Sequence, residues 1–79
     1  MIIELKIPDT GMGITEGTIH KWHKSAGDAV RQGELLAEIE TAKAIAEITS
    51  PADGVLEQIV LDEAGTADVN ATIALIRAR

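Results

Sequence analysis

The chain of 79 residues contains no cysteine, no phenylalanine and no tyrosine, and a single tryptophan. Without cysteine it can form neither a disulfide nor a thiolate metal site. No apolar run approaches the roughly 20 residues of a membrane-spanning helix, and no signal-peptide pattern opens the chain. Basic residues are scarce as well: seven Lys and Arg against thirteen Asp and Glu leave a net charge of −6. That balance argues against nucleic acid and anionic membranes as partners. It suits a partner with a basic docking surface, or simply keeps a small domain in solution. A fold of this size hides only roughly 60% of the surface its unfolded chain exposes, so a deep catalytic cleft is not expected in it. We expect one domain over residues 1–79, acting in the cytoplasm or within a larger cytosolic protein.

What the chain does have is aliphatic. Ile, Leu and Val number 21, and branched side chains suit strands better than helices. Short apolar segments alternate with turn residues. Strands are predicted over Ile2–Ile7, Thr18–His23, Leu35–Glu40, Ile45–Thr49, Val55–Leu61 and Ile73–Arg77, with short extended pieces at Ala29–Arg31 and around Val69. Asp9–Gly17 reads as a loop with three glycines, Ser25–Asp28 and Pro51–Gly54 as turns, and Asp62–Asp68 as a polar connection. Many short strands at regular spacing indicate an all-β sandwich or barrel. A helix within Glu34–Ile48 is the competing reading, because Ala, Leu and Glu favour helices.

The second half also weakly repeats the first. At an offset of 37, Gly17 falls on Gly54, Ile19 on Leu56, Trp22 on Ile59, Leu36 on Ile73, Ala37 on Ala74 and Ile39 on Ile76. Ile19 and Trp22 stand three apart, as do Leu56 and Ile59. Strand faces alternate with period two, so this spacing predicts a bulge in each half. The repeat predicts a pseudo-twofold fold of two four-strand units packed face to face. Thr41-Ala-Lys-Ala44 then lies at the junction of the halves and places Lys43 at a hairpin tip.

Lys43 is flanked by Ala42 and Ala44, so a modifying enzyme could reach it without unfolding anything; the plain reading is a solvated loop lysine. His20 and His23 stand three apart in a predicted strand, without the partners or spacing of a metal site. Ser25 and Ser50 are the serines open to a hydrolytic triad, and neither sits in a nucleophile elbow. No metal site and no catalysis of its own are expected. Trp22 is expected to be half-buried packing, and Gly17, Gly27, Gly33 and Gly54 to serve turns or bulges.

Taken together, Glu16-Gly-Thr-Ile-His-Lys-Trp22, Gly27-Asp28, Val30, Gly33, Ile39-Glu-Thr-Ala-Lys-Ala44 and Ser50-Pro-Ala-Asp-Gly54 resemble the lipoyl domains of 2-oxo acid dehydrogenase acyltransferases. The resemblance covers essentially the whole chain. It implies a flattened barrel of two four-stranded antiparallel sheets about a quasi-twofold axis, with lipoate in amide linkage on Lys43, flanked by Glu40, Thr41, Ala42 and Ala44. It also implies a swinging arm that carries acyl groups between active sites. The implied partners are a lipoate-protein ligase or lipoyl transferase, a 2-oxo acid decarboxylase, an acyltransferase core and dihydrolipoyl dehydrogenase. Thr10, Gly11, Met12, Gly13, Ile14, Thr15 and Glu16 would form the surface loop that the decarboxylase reads. The chain departs from the pattern at Ala42, where the family usually has aspartate.

Two other readings stay open. Biotin carrier domains share the fold and modify a hairpin lysine, but typically within Glu-Ala-Met-Lys-Met, and neither methionine is present here. An unmodified barrel used for docking is the other. No Ala/Pro-rich linker follows Arg79, which suits a free-standing carrier and a piece of an acyltransferase equally.

Overall fold

The computed structural model describes residues 1–8, 13 and 15–79. Their strands are β1 (Ile2–Lys6), β2 (Glu16–Trp22), β3 (Ala29–Val30), β4 (Leu35–Glu40), β5 (Ile45–Thr49), β6 (Gly54–Ile59), β7 (Thr66–Asp68) and β8 (Thr72–Ala78). They form two four-stranded antiparallel sheets, ordered β1-β8-β6-β3 and β5-β4-β2-β7. The backbone spans 34 × 21 × 17 Å. The short dimension is what two sheets packed face to face require, so the barrel is flattened into a sandwich.

The offset of 37 runs through the whole architecture. The pair Ile19↔Ile39 in β2–β4 recurs as Leu56↔Ile76 in β6–β8. The predicted bulges are present: β2 carries an extra residue at His20, and β6 carries one at Glu57. A second matched pair lies at Leu36 in β4 and Ile73 in β8. Each of these lets two consecutive residues face inward, so Leu36 and Ala37 are both buried, as are Ile73 and Ala74. The core of Ile7, Ile19, Leu36, Ile39, Leu56, Ile73 and Ile76 is thus filled by aliphatic side chains from both sheets. Burying each contributes about 1.5–3 kcal/mol, which lets the fold do without the aromatic core residues it lacks.

Several expectations need correction. The two halves do not form one sheet each. The first sheet takes β1 and β3 from one half and β6 and β8 from the other. This exchange binds the halves through main-chain ladders as well as through side chains. The competing helix within Glu34–Ile48 is absent: β4 and β5 occupy the segment, because ladder pairing and core burial outweigh its local helix propensity. Glu16 and Gly17 belong to β2 rather than to the loop before it, and His23 lies just beyond that strand. The seventh strand is Thr66–Asp68, not a piece around Val69. It is a sheet edge in which only Ala67 turns inward, so its polar sequence resembles a connection. Gly27 and Gly33 do adopt positive φ, whereas Gly17 and Gly54 lie in strands.

Candidate functional site

β4 and β5 are neighbours in register through Glu40↔Ile45. Four residues, Thr41 to Ala44, join them. The Thr41 amide donates to the Ala44 carbonyl at 2.9 Å, so the loop proper is only Ala42 and Lys43. Neither has a positive φ. The usual two-residue hairpin turns need a positive φ in the loop to match strand twist, so this turn is held differently. The Thr41 hydroxyl donates to the Ala44 carbonyl at 2.6 Å and accepts from the amides of Ala44 at 3.1 Å and Lys43 at 3.3 Å.

Ala42, Lys43 and Ala44 are exposed at this tip, and Thr41 is half-buried behind them. Among the described residues Lys43 makes no salt bridge. The other three lysines are placed differently. Lys6 ends β1 and Lys21 lies within β2, opposite Glu38 of β4. Lys24 is tied to Glu34 at 2.8 Å. A surface hollow of about 490 Å³ lies beside the tip, where Gly13, Thr15 and Glu16 face Glu40, Ala42 and Lys43. Part of the loop expected to meet a partner therefore borders the lysine. Thr10, Gly11, Met12 and Ile14 lie outside the described residues. The hollow holds two carboxylates, Glu16 and Glu40, so neutralising Lys43 would leave it acidic.

The remaining candidates are occupied structurally. His20 is the exposed bulge residue of β2, and His23 pairs with Glu38 at 2.8 Å. Ser50 is buried, and its hydroxyl donates to the Ala52 carbonyl at 2.6 Å. The Ser25 amide donates to Asp28 in the predicted turn. Trp22 is half-buried, and its indole N–H donates to the Leu61 carbonyl at 2.9 Å. Among the described residues no group of three His, Asp or Glu side chains is placed to hold a metal, and no helix is long and apolar enough to cross a membrane. By its place in the sequence Thr41 is simply a neighbour of the lysine. The signal was present, however: a hydroxyl side chain two and three residues before turn amides is a local cap.

The model of a sequence family described as Biotin-requiring enzyme, the biotin/lipoyl family, matches residues 3–76. The dihydrolipoyllysine-residue acetyltransferase component of the pyruvate dehydrogenase complex of Staphylococcus epidermidis is 41% identical over 78 residues, and its Staphylococcus aureus counterpart is 40% identical. Those matches cover 99% of this chain but 18% of either relative, so the chain spans about a fifth of their length. The lipoyl domain of the 2-oxoglutarate dehydrogenase complex from Azotobacter vinelandii superposes with a TM-score of 0.79 at 36% identity, covering 98% of this chain and 99% of that one. A single-chain, multi-domain long-chain acyl-CoA carboxylase gives a TM-score of 0.83 at 12% identity, over 99% of this chain and 7% of that one. The second likeness is one of fold alone.

Proposed function

The chain belongs to the biotin/lipoyl family as a lipoyl carrier domain, and from that premise we propose that Lys43 is its attachment point, that the attached group is lipoate, and that the domain serves a 2-oxo acid dehydrogenase-type complex. The observation that carries the proposal is the placement of Lys43. Of the four lysines it alone stands at a protruding two-residue turn, and it makes no salt bridge among the described residues. The division of labour follows from composition. The chain has no cysteine, so a disulfide that is reductively acylated and later reoxidised must come with the cofactor.

The protein's own residues supply position. Condensation of the Lys43 amine with the lipoate carboxyl forms an amide and removes the lysine charge. The β4–β5 ladder and the Thr41 hydroxyl then fix the root of the arm. Tethering raises the effective concentration of the arm's far end at each active site it can reach. The partners would be a lipoate-protein ligase or lipoyl transferase, the 2-oxo acid decarboxylase, the acyltransferase core and dihydrolipoyl dehydrogenase, in the cytoplasm. Gly13, Thr15 and Glu16 are proposed as part of the surface read by the decarboxylase, together with Thr10, Gly11, Met12 and Ile14, which lie outside the described residues. Residues 1–79 act as one carrier domain.

Biotin is the competing cofactor, since the matching family includes both groups. The Ala42-Lys-Ala44 tip, without methionine on either side, favours lipoate. Intact mass after exposure to both ligases separates the two, and peptide mapping locates the label. A lipoyl increment confined to Lys43, and absent from Lys43→Arg, is the expected result. A biotin increment, no increment, or substantial label on Lys43→Arg would overturn the assignment.

A further inference from the structure

Beyond the lysine itself, we propose that Thr41 is the positioning residue of the tip: its hydroxyl, rather than the loop's own backbone, fixes the direction in which Lys43 leaves the domain. The inference rests on the reading of Lys43 as the modified residue. It starts from what the turn lacks. Ala42 and Lys43 have negative φ and neither is Gly, Asn or Asp. A two-residue loop of that kind splays the flanking strands unless something else holds it. In an ordinary two-residue hairpin the Ala44 amide would bind the Thr41 carbonyl. Here it binds the Thr41 side chain at 3.1 Å instead.

One hydroxyl thus joins three groups of the turn. It accepts from two amides and donates to the Ala44 carbonyl, which also accepts from the Thr41 amide at 2.9 Å. The Lys43 amide is one of the two held amides, so the backbone that carries the modified side chain is anchored directly. The role also explains how Ala42 is tolerated. A favoured turn former at position 42 is dispensable when its neighbour already caps the turn.

The test compares the intact domain with Thr41→Val, which keeps the shape and removes the hydroxyl, and Thr41→Ser, which restores it. Thr41→Ala serves in place of valine if that variant does not fold. Two quantities are read: amide hydrogen exchange at Lys43 and Ala44 in the unmodified domain, and kcat and KM for ligation with lipoate, ATP and a lipoate-protein ligase. Thr41→Val is expected to speed exchange at Ala44 about tenfold and to lower kcat/KM by a similar factor, with a thermal midpoint close to wild type. Thr41→Ser is expected to recover both. Wild-type ligation of Thr41→Val, a serine variant as slow as valine, or unchanged Ala44 exchange would overturn the proposal. Failure of the wild-type domain to take lipoate would instead overturn the carrier reading, and the exchange comparison would still decide whether Thr41 holds the tip.

Discussion

Gly17 and Gly54, equivalent at the offset of 37, are both buried where a side chain would collide, but with different kinds of wall. A Cβ on Gly17 would lie 2.6 Å from the Ile39 side chain and 3.3 Å from that of Ile7. A Cβ on Gly54 would run into the Arg77 carbonyl and the Ala78 Cα, which are main chain. The two glycines therefore mark close approaches between layers and strands rather than turns.

Their difference predicts a rank. In Gly17→Ala the new methyl meets side-chain carbons, which can shift, and a loss of about 1–2 kcal/mol is expected. In Gly54→Ala the backbone of β8 has to move out of its ladder, and about 3 kcal/mol or more is expected. Urea unfolding followed by Trp22 fluorescence measures both. Equal midpoints for the two variants would show that the β6–β8 contact is softer than its geometry.

Much of this arrangement is legible in the sequence, for a physical reason. The repeat pairs Ile19 with Leu56 and Leu36 with Ile73, so each apolar residue is supported by its counterpart, and bulges follow from a spacing of three. Lys43 reads as a tip residue because it sits where the two halves join. What could not be read depends on partners distant in the chain. Thr66–Asp68 becomes a strand only because Glu16–Thr18 lies beside it. The mixing of halves depends on pairs distant in the chain, β1 with β8 and β3 with β6 in one sheet and β2 with β7 in the other, which no local pattern encodes. Gly17 looked like loop because its reason for being glycine is Ile39, 22 positions away.

The Lys24–Glu34 pair gives the fold a pH dependence of defined sign. The Lys24 ammonium beside it, with the Arg31 amide, lowers the Glu34 carboxyl from its ordinary range. Glu34 in turn raises the Lys24 ammonium, chiefly through their hydrogen bond and against the opposing effect of burial. A lowered acid stabilises the fold above its unfolded value and loses that contribution as pH falls through its folded value. A raised base stabilises below its unfolded value and loses the contribution as pH rises through its folded value. The pair is thus fully effective between the ordinary values of 4.5 and 10.5. Both side chains are half-buried at the surface and still reached by water, so the effect is small and weakened by salt. Glu34→Gln is expected to lower the denaturation midpoint at pH 7 slightly, with the gap to wild type closing at more acidic pH. A gap that widened on acidification would contradict the assigned sign.

Moving the lysine by one place tests whether direction matters. In the double change Ala42→Lys, Lys43→Ala, the amine leaves from the first loop residue, whose amide the Thr41 hydroxyl does not hold. Exposure is retained, since Ala42 and Lys43 are both exposed. Ligation is expected to fall about tenfold or more through misplacement alone, with the β-type circular dichroism spectrum unchanged. Equal ligation of the shifted lysine would mean that any exposed amine on this hairpin suffices.

The alanine at position 42 predicts a separation between modification and use. The Thr41 hydroxyl already satisfies the turn amides of Lys43 and Ala44, so the aspartate usual in lipoyl domains has no structural task left here. Its charge is another matter. Ala42 borders the hollow that contains Glu16 and Glu40, and Ala42→Asp would add a third carboxylate to a surface that becomes acidic once Lys43 is neutralised. Charges at the rim of a docking surface chiefly alter encounter rate and partner choice, and do so less as salt rises. Ala42→Asp is therefore expected to leave the ligation rate within about twofold. It is expected to raise reductive acylation by a 2-oxo acid decarboxylase by up to about tenfold at low ionic strength, with the gain shrinking as salt is added. The two rates, measured on the same preparations of wild type and Ala42→Asp, decide the matter. Faster ligation with unchanged acylation would place the reading of position 42 with the ligase, and an acylation gain indifferent to salt would show that aspartate acts through the turn and not through its charge.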